Sequence, residues 1–150
     1  MQIWDIANNT LVLQLSNVAH TNGTLGLRYI YYKRLASCGN DGTVKIWDAS
    51  NGYLMLTLAG HSAGVTSLEM VSAHLVATAS LDKSILVWSQ VNGSLLYNLT
   101  GGHSAGVNCL KALSSTGLLA SGSSDNTVLV WSWPNQSVPL LALTGHTGSV

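Results

Sequence analysis

The chain has 150 residues, 47% of them hydrophobic and only 8% charged, with six Lys and Arg balanced by six Asp and Glu for a formal net charge of zero. So weak a charge has little electrostatic reach, which argues against steering toward nucleic acid or acidic membranes. No apolar run approaches the roughly 18 residues of a membrane-spanning helix, residues 1–19 lack the features of a secretory leader, and Cys38 and Cys109 are too few for a disulfide framework.

In chain order, residues 1–19 carry a strand closed by Trp4-Asp5 and the strand after it. Residues 20–60 open on His20 and continue through Ser37, Asp41 and Trp47-Asp48 to Asn51-Gly52. Residues 61–102 repeat the order with Gly60-His61, Thr78, Asp82, Trp88-Ser89 and Asn92-Gly93. Residues 103–145 do so again with Gly102-His103, Ser121, Asp125, Trp131-Ser132 and Asn135, and residues 146–150 restart it after Gly145 with His146. Trp4, Trp47, Trp88 and Trp131 are 43, 41 and 43 residues apart, and His20, His61, His103 and His146 are 41, 42 and 43 apart. Two markers in step over four copies mean one small unit is copied along the chain.

Within each unit the spacing is tight. Asp lies six residues before Trp, the hydroxyl four before Asp, and His 17 or 18 before the hydroxyl. Thr43-Val44-Lys45-Ile46-Trp47, Ser84-Ile85-Leu86-Val87-Trp88 and Thr127-Val128-Leu129-Val130-Trp131 are rich in β-branched residues and alternate with period two, as strands do. Asp41-Gly42, Asp125-Asn126, Asn51-Gly52 and Asn92-Gly93 supply residues that tolerate the positive φ of tight hairpin turns. Four strands fit in each unit and no stretch keeps a helical period, so the prediction is an all-β array. Cys38 and Cys109 are expected as small buried residues in strands of different units.

The His, Ser/Thr, Asp, Trp pattern, opened by Gly-His and closed by Trp4-Asp5 or Trp47-Asp48, resembles the WD-repeat β-propellers over essentially the whole chain. Ser89, Ser132 and Ala19 depart from that pattern. The resemblance implies four-stranded antiparallel blades around a channel. This chain would be a partial propeller: an incomplete repeat at 1–19, complete repeats at 20–60, 61–102 and 103–145, and the start of another at 146–150. Such an open arc needs further blades of a parent chain to close, and alone it is expected to aggregate or assemble irregularly. The resemblance also implies a hydrogen-bonded set in each blade: His20, Ser37, Asp41 and Trp47; His61, Thr78, Asp82 and Trp88; His103, Ser121, Asp125 and Trp131.

Catalytic and metal readings compete with this. Gly60-His61-Ser62-Ala63-Gly64 and Gly102-His103-Ser104-Ala105-Gly106 both fit the G-x-S-x-G elbow of serine hydrolases, with Ser62 or Ser104 as nucleophile. That elbow needs a strand-to-helix turn, whereas each copy here runs into strand-like sequence. The repeated Asp, His and hydroxyl also resemble a catalytic triad, but three copies with no oxyanion site point to a structural role. The carboxylates agree: only Glu69 is free of a turn or a Trp-Asp pair. The five histidines show no ligand spacing, and His74 stands alone between strands. Neither a metal nor a cofactor is expected. Arg28 to Arg34 mixes bases and tyrosines, as single-strand nucleic-acid binders do, but it fits a solvated hairpin better. Of the five N-x-[ST] matches, at Asn8, Asn22, Asn92, Asn98 and Asn135, three fall on turn asparagines.

Loops on a rigid scaffold then remain as the functional surface. The resemblance points to one face, formed by Gly23, Leu25 and Asn40, by Gly64, Thr66 and Leu81, and by Gly106, Asn108 and Ser124. The expected function is a non-catalytic scaffold for protein partners, without nucleic acid or membrane, in a reducing intracellular setting such as cytoplasm or nucleus.

Overall fold

A computed structural model describes residues 2–5, 7–15, 20–113, 117–132 and 138–150. Ala19 and Asn135 lie outside the described residues, as do the side chains of Trp4 and Asp5. Among the described residues every regular element is a β-strand. No helix among the described residues is long and apolar enough to cross a membrane.

Strands β1 (Gln2–Asp5) and β2 (Thr10–Gln14) form a two-stranded sheet. Three four-stranded antiparallel sheets follow, each a meander of consecutive strands. The first contains β3 (Thr24–Ile30), β4 (Arg34–Gly39), β5 (Thr43–Asp48) and β6 (Leu54–Ala59). The second contains β7 (Val65–Ser72), β8 (Leu75–Ser80), β9 (Ile85–Ser89) and β10 (Leu95–Leu99). The third contains β11 (Val107–Leu113), β12 (Leu118–Ser123), β13 (Thr127–Ser132) and β14 (Leu141–Thr144). The first strands of successive sheets touch, β3 against β7 and β7 against β11, so the sheets fan from a shared inner edge in an open arc.

The core lies between sheets. Ile30, Ala36, Cys38, Val44, Ile46 and Leu58 of the first sheet meet Val65, Leu68, Val76, Leu86 and Trp88 of the second. Ala77, Ala79, Ile85, Val87 and Leu99 leave the other side of the second sheet to meet Val107, Leu110, Leu119, Leu129 and Trp131. In β9, Leu86 and Trp88 therefore serve one core while Ile85 and Val87 serve the next. The alternation in the Trp-ending strands thus sorts residues between two cores, as in any sheet covered on both faces. Trp47 is capped by Leu15, which follows β2, together with Leu35 and Leu54.

The glycine of Gly-His has a packing reason. A Cβ on Gly60 would meet Trp88 Cη2 at 2.8 Å, and one on Gly102 would meet Trp131 Cη2 at 2.5 Å. The turn before each Trp strand places one residue at positive φ: Gly42 at 73°, Lys83 at 74° and Asn126 at 67°.

One cysteine departs from expectation. Cys38 is fully buried, and burial pushes its thiol up to about 11. Cys109 is exposed instead. It sits on β11 beside Gly122, on the side of the third sheet turned away from the second, where no further sheet lies among the described residues.

Candidate functional site

Each four-stranded sheet holds one polar quartet. In the first, Trp47 Nε1–H donates to Ser37 Oγ at 2.9 Å, Ser37 Oγ lies 2.8 Å from His20 Nε2, and His20 Nδ1 lies 2.9 Å from Asp41 Oδ1. The second repeats this with Trp88 to Thr78 at 2.8 Å, Thr78 to His61 at 2.8 Å and His61 to Asp82 at 2.9 Å. In the third, Trp131 to Ser121, Ser121 to His103 and His103 to Asp125 measure 2.8, 2.8 and 2.9 Å. An ionised carboxylate can only accept, so Nδ1–H donates to it; in the neutral imidazole Nε2 then accepts the hydroxyl proton, and the hydroxyl oxygen accepts from the indole N–H. Every polar group in the chain Trp, Ser/Thr, His, Asp is then satisfied, as burial requires.

Two further contributors to each quartet were not singled out in sequence. The hydroxyl two residues after each Asp donates back to it: Thr43 to Asp41 at 2.7 Å, Ser84 to Asp82 at 2.6 Å and Thr127 to Asp125 at 2.6 Å. The backbone N–H after each His does the same, from Thr21, Ser62 and Ser104 at 3.0, 2.9 and 2.9 Å. The Asp-x-Ser/Thr spacing was legible; the N–H needs the loop to fold. Burial opposes ionisation of Asp41, but Thr43 and His20 outweigh it and hold the carboxyl down at about 2. Asp82 is likewise lowered to about 2, with burial outweighed by Ser84, Ser62 and His61. Asp125 is lowered in the same way, mainly through Thr127 and Ser104. Burial pushes the His61 imidazole below its ordinary value, against the pull of Asp82.

In this geometry the quartet hydroxyls are not free to act as nucleophiles. Ser37 and Thr78 are wholly buried and Ser121 is 1% exposed, and each hydroxyl is engaged by both indole and imidazole. Ser62 is exposed, but His61 spends both ring nitrogens on Thr78 and Asp82 rather than on it. Both G-x-S-x-G segments join strand to strand, β6 to β7 and β10 to β11, so neither forms an elbow. No group of three or more His, Cys, Asp or Glu among the described residues could hold a metal ion.

The residues expected on the loop face gather at one end of the arc. Asn40, Leu81 and Ser124 donate their N–H groups to the carbonyls of Gly23, Gly64 and Gly106, at 3.1, 3.0 and 3.0 Å. The sheets abut here: a Cβ on Gly64 would meet Asn40 Oδ1 at 2.8 Å, and one on Gly106 would meet Leu81 Cδ2 at 3.0 Å. Leu25 and Leu81 are 45% and 49% exposed. Thr66 turns inward instead, its hydroxyl donating to Val107 C=O across the sheet boundary and to Ala79 C=O. Asn108 donates to Ser124, Ser149 and the Val150 carbonyl, tying the last residues to this end.

The opposite end holds charge. Arg28 on β3 grips Glu69 on β7, which Lys111 on β11 approaches from the other side. Arg34 donates to Gln90 C=O at 2.7 Å, so two of the three cations between residues 28 and 34 have intramolecular partners. His74 is exposed and stacks on Tyr32 with ring centres 6.0 Å apart.

A family model described as WD domain, G-beta repeat matches residues 9–48, 52–89 and 93–132. Each matched segment takes the last strand of one sheet and the first three of the next: β2 with β3–β5, β6 with β7–β9, and β10 with β11–β13. The matched unit therefore clasps two neighbouring sheets. No curated protein matches the chain in sequence.

Proposed function

The chain belongs to the WD-repeat family, and from that membership we propose that it is a non-catalytic scaffold whose loop end holds protein partners. WD repeats generally serve as protein-interaction scaffolds, so the class of function follows from the family. The observation that carries the finer reading is the closure of the three quartets. Their hydroxyls and imidazoles resemble catalytic groups, yet all are consumed in holding strands together. What is left to act is a rim in which Leu25, Asn40, Leu81, Asn108 and Ser124 stand on rigid sheets. Thr66 supports that rim from beneath through its bond to β11. Exposed Leu25 and Leu81 are its apolar anchors. An intracellular, reducing location belongs to the same proposal, with Cys38 and Cys109 both free thiols.

Site-specific photocrosslinking tests this. A crosslinker at position 81 should capture discrete protein partners, and one at position 96, on the exposed outer strand β10, should not. Equal labelling from both positions, or ester hydrolysis that Ser62→Ala abolishes, would overturn the reading.

A further inference from the structure

Arg28, Glu69 and Lys111 occupy one register position on the three inner-edge strands, paired with Ala36, Ala77 and Ala120 respectively. Their spacings of 41 and 42 residues place them at the same phase of the repeat, with charges alternating in sign. The Glu69 side chain is only 5% exposed. Arg28 holds it through Nη1 to Oε2 at 2.5 Å and Nη2 to Oε1 at 3.2 Å. Lys111 reaches Oε1 only at 3.4 Å and its side chain is 67% exposed. Two cations thus cover one sunken carboxylate, and the surface above them is net positive.

A groove of about 420 Å³ runs over this trio, lined also by Tyr31, Met70, Ala112 and Leu113. A hollow of about 270 Å³ shares Arg28, Tyr31 and Met70 with it. Tyr31 is 56% exposed and precedes a turn in which Tyr32 and Lys33 both take positive φ, 64° and 55°. Such a turn favours Asn-Gly, so bulky residues persist there only where their surroundings hold them. The stack of Tyr32 on His74 provides that hold. Tyrosine, arginine and methionine are the residue types enriched at protein-binding surfaces.

We propose that this groove binds an extended acidic peptide, with a partner carboxylate between Arg28 and Lys111 and an adjacent apolar side chain on Tyr31 and Met70. The site lies at the other end of β3 from the loop rim and is independent of it. Lys111 directs one donor at Glu69 and keeps two for a ligand. A nucleic-acid strand is disfavoured because Glu69 lies beneath the cations and because strand binders track phosphates with a longer basic groove.

Fluorescence anisotropy on the 150-residue chain tests the proposal with three labelled probes: an alternating Glu-Leu octapeptide, its Gln-Leu counterpart, and an eight-nucleotide oligo-dT. The Glu-Leu peptide should bind at least about tenfold more tightly than the Gln-Leu peptide, the increment of one charge-assisted contact. Lys111→Gln should remove that advantage and Lys111→Arg should keep it. Lys83→Gln, which alters net charge equally at the far end, should leave it unchanged. Equal binding of the two peptides, indifference to Lys111→Gln, or tighter binding of oligo-dT would each overturn the assignment.

Discussion

The middle sheet and the outer faces of its neighbours use the same residues in different surroundings. Leu68 and Leu110, each paired with the quartet hydroxyl of its sheet, are 6% and 8% exposed, whereas Leu27 at the same register on β3 is 52% exposed. Leu58 and Leu99 on the outer strands are 1% and 3% exposed, while Leu143, in register with Leu58, is 47% exposed. Side-chain type and strand position are constant, so the neighbouring sheet alone decides between core and surface. Apolar stability in this chain is a sum over sheet-to-sheet contacts, the behaviour of a repeat array.

Paired truncation breaks that comparison most strongly. Leu68→Ala should destabilise by about 2–5 kcal/mol, the range for emptying a leucine site in a packed core. Leu27→Ala should change stability by less than about 0.5 kcal/mol, as exposed sites do. Urea melts followed by indole fluorescence read both, and similar losses would refute the nearest-neighbour account.

The quartets should show the opposite pattern, because each is built within one sheet. Thr78→Val in the middle sheet and Ser37→Ala in the first should each cost about 1–3 kcal/mol by stranding buried donors. Asp82→Ala should cost a similar amount, and combined with Thr78→Val it should cost less than the sum, since both open one network. Additive losses in the same melts would show that the four groups do not act together.

Acid extends this equality to Asp41 and Asp82. Both are held near 2, below the roughly 3.9 of an unfolded aspartate. Their contribution is fully present above about pH 4 and lost as pH falls toward 2. His61 adds a milder loss below about pH 6.5, because the unfolded histidine takes up a proton that the folded one resists. Urea midpoints should therefore fall between pH 4 and 2, and Asp82→Asn should flatten that fall.

The smallest expected effect is a gain. Lys83 holds a φ of 74° where the equivalent turns use Gly42 and Asn126. Lys83→Gly should stabilise by about 0.5–1 kcal/mol, the left-handed strain relieved exceeding the added chain entropy. A loss of stability on melting would mean that the lysine side chain has an interaction at that turn.

Much of the fold was legible because the markers that repeat are the ones that pack. Trp and Gly-His recur since Trp88 and Trp131 each pack on the preceding sheet and on the glycine that opens their own repeat, and periodicity exposes that directly. The quartets were legible only through family resemblance; their spacing shows that four groups recur, not that they touch. Cys109 misled because strand membership says nothing about which side of a sheet has a neighbour. Glu69 was visible as an unexplained carboxylate, but its partners were not, since Arg28 and Lys111 come from different sheets 41 and 42 residues away. Noting all three at one phase of the repeat would have found them.

Among the described residues the open arc leaves apolar side chains uncovered on both outer faces, Leu27 on the first sheet and Leu143 on the third. Size exclusion with light scattering over a range of concentrations tests it most directly. The mass should rise with concentration above the 15.8 kDa of one chain and return toward it when Leu27 and Leu143 are both changed to Glu. A sharp 15.8 kDa peak at every concentration, unaltered by those changes, would contradict it.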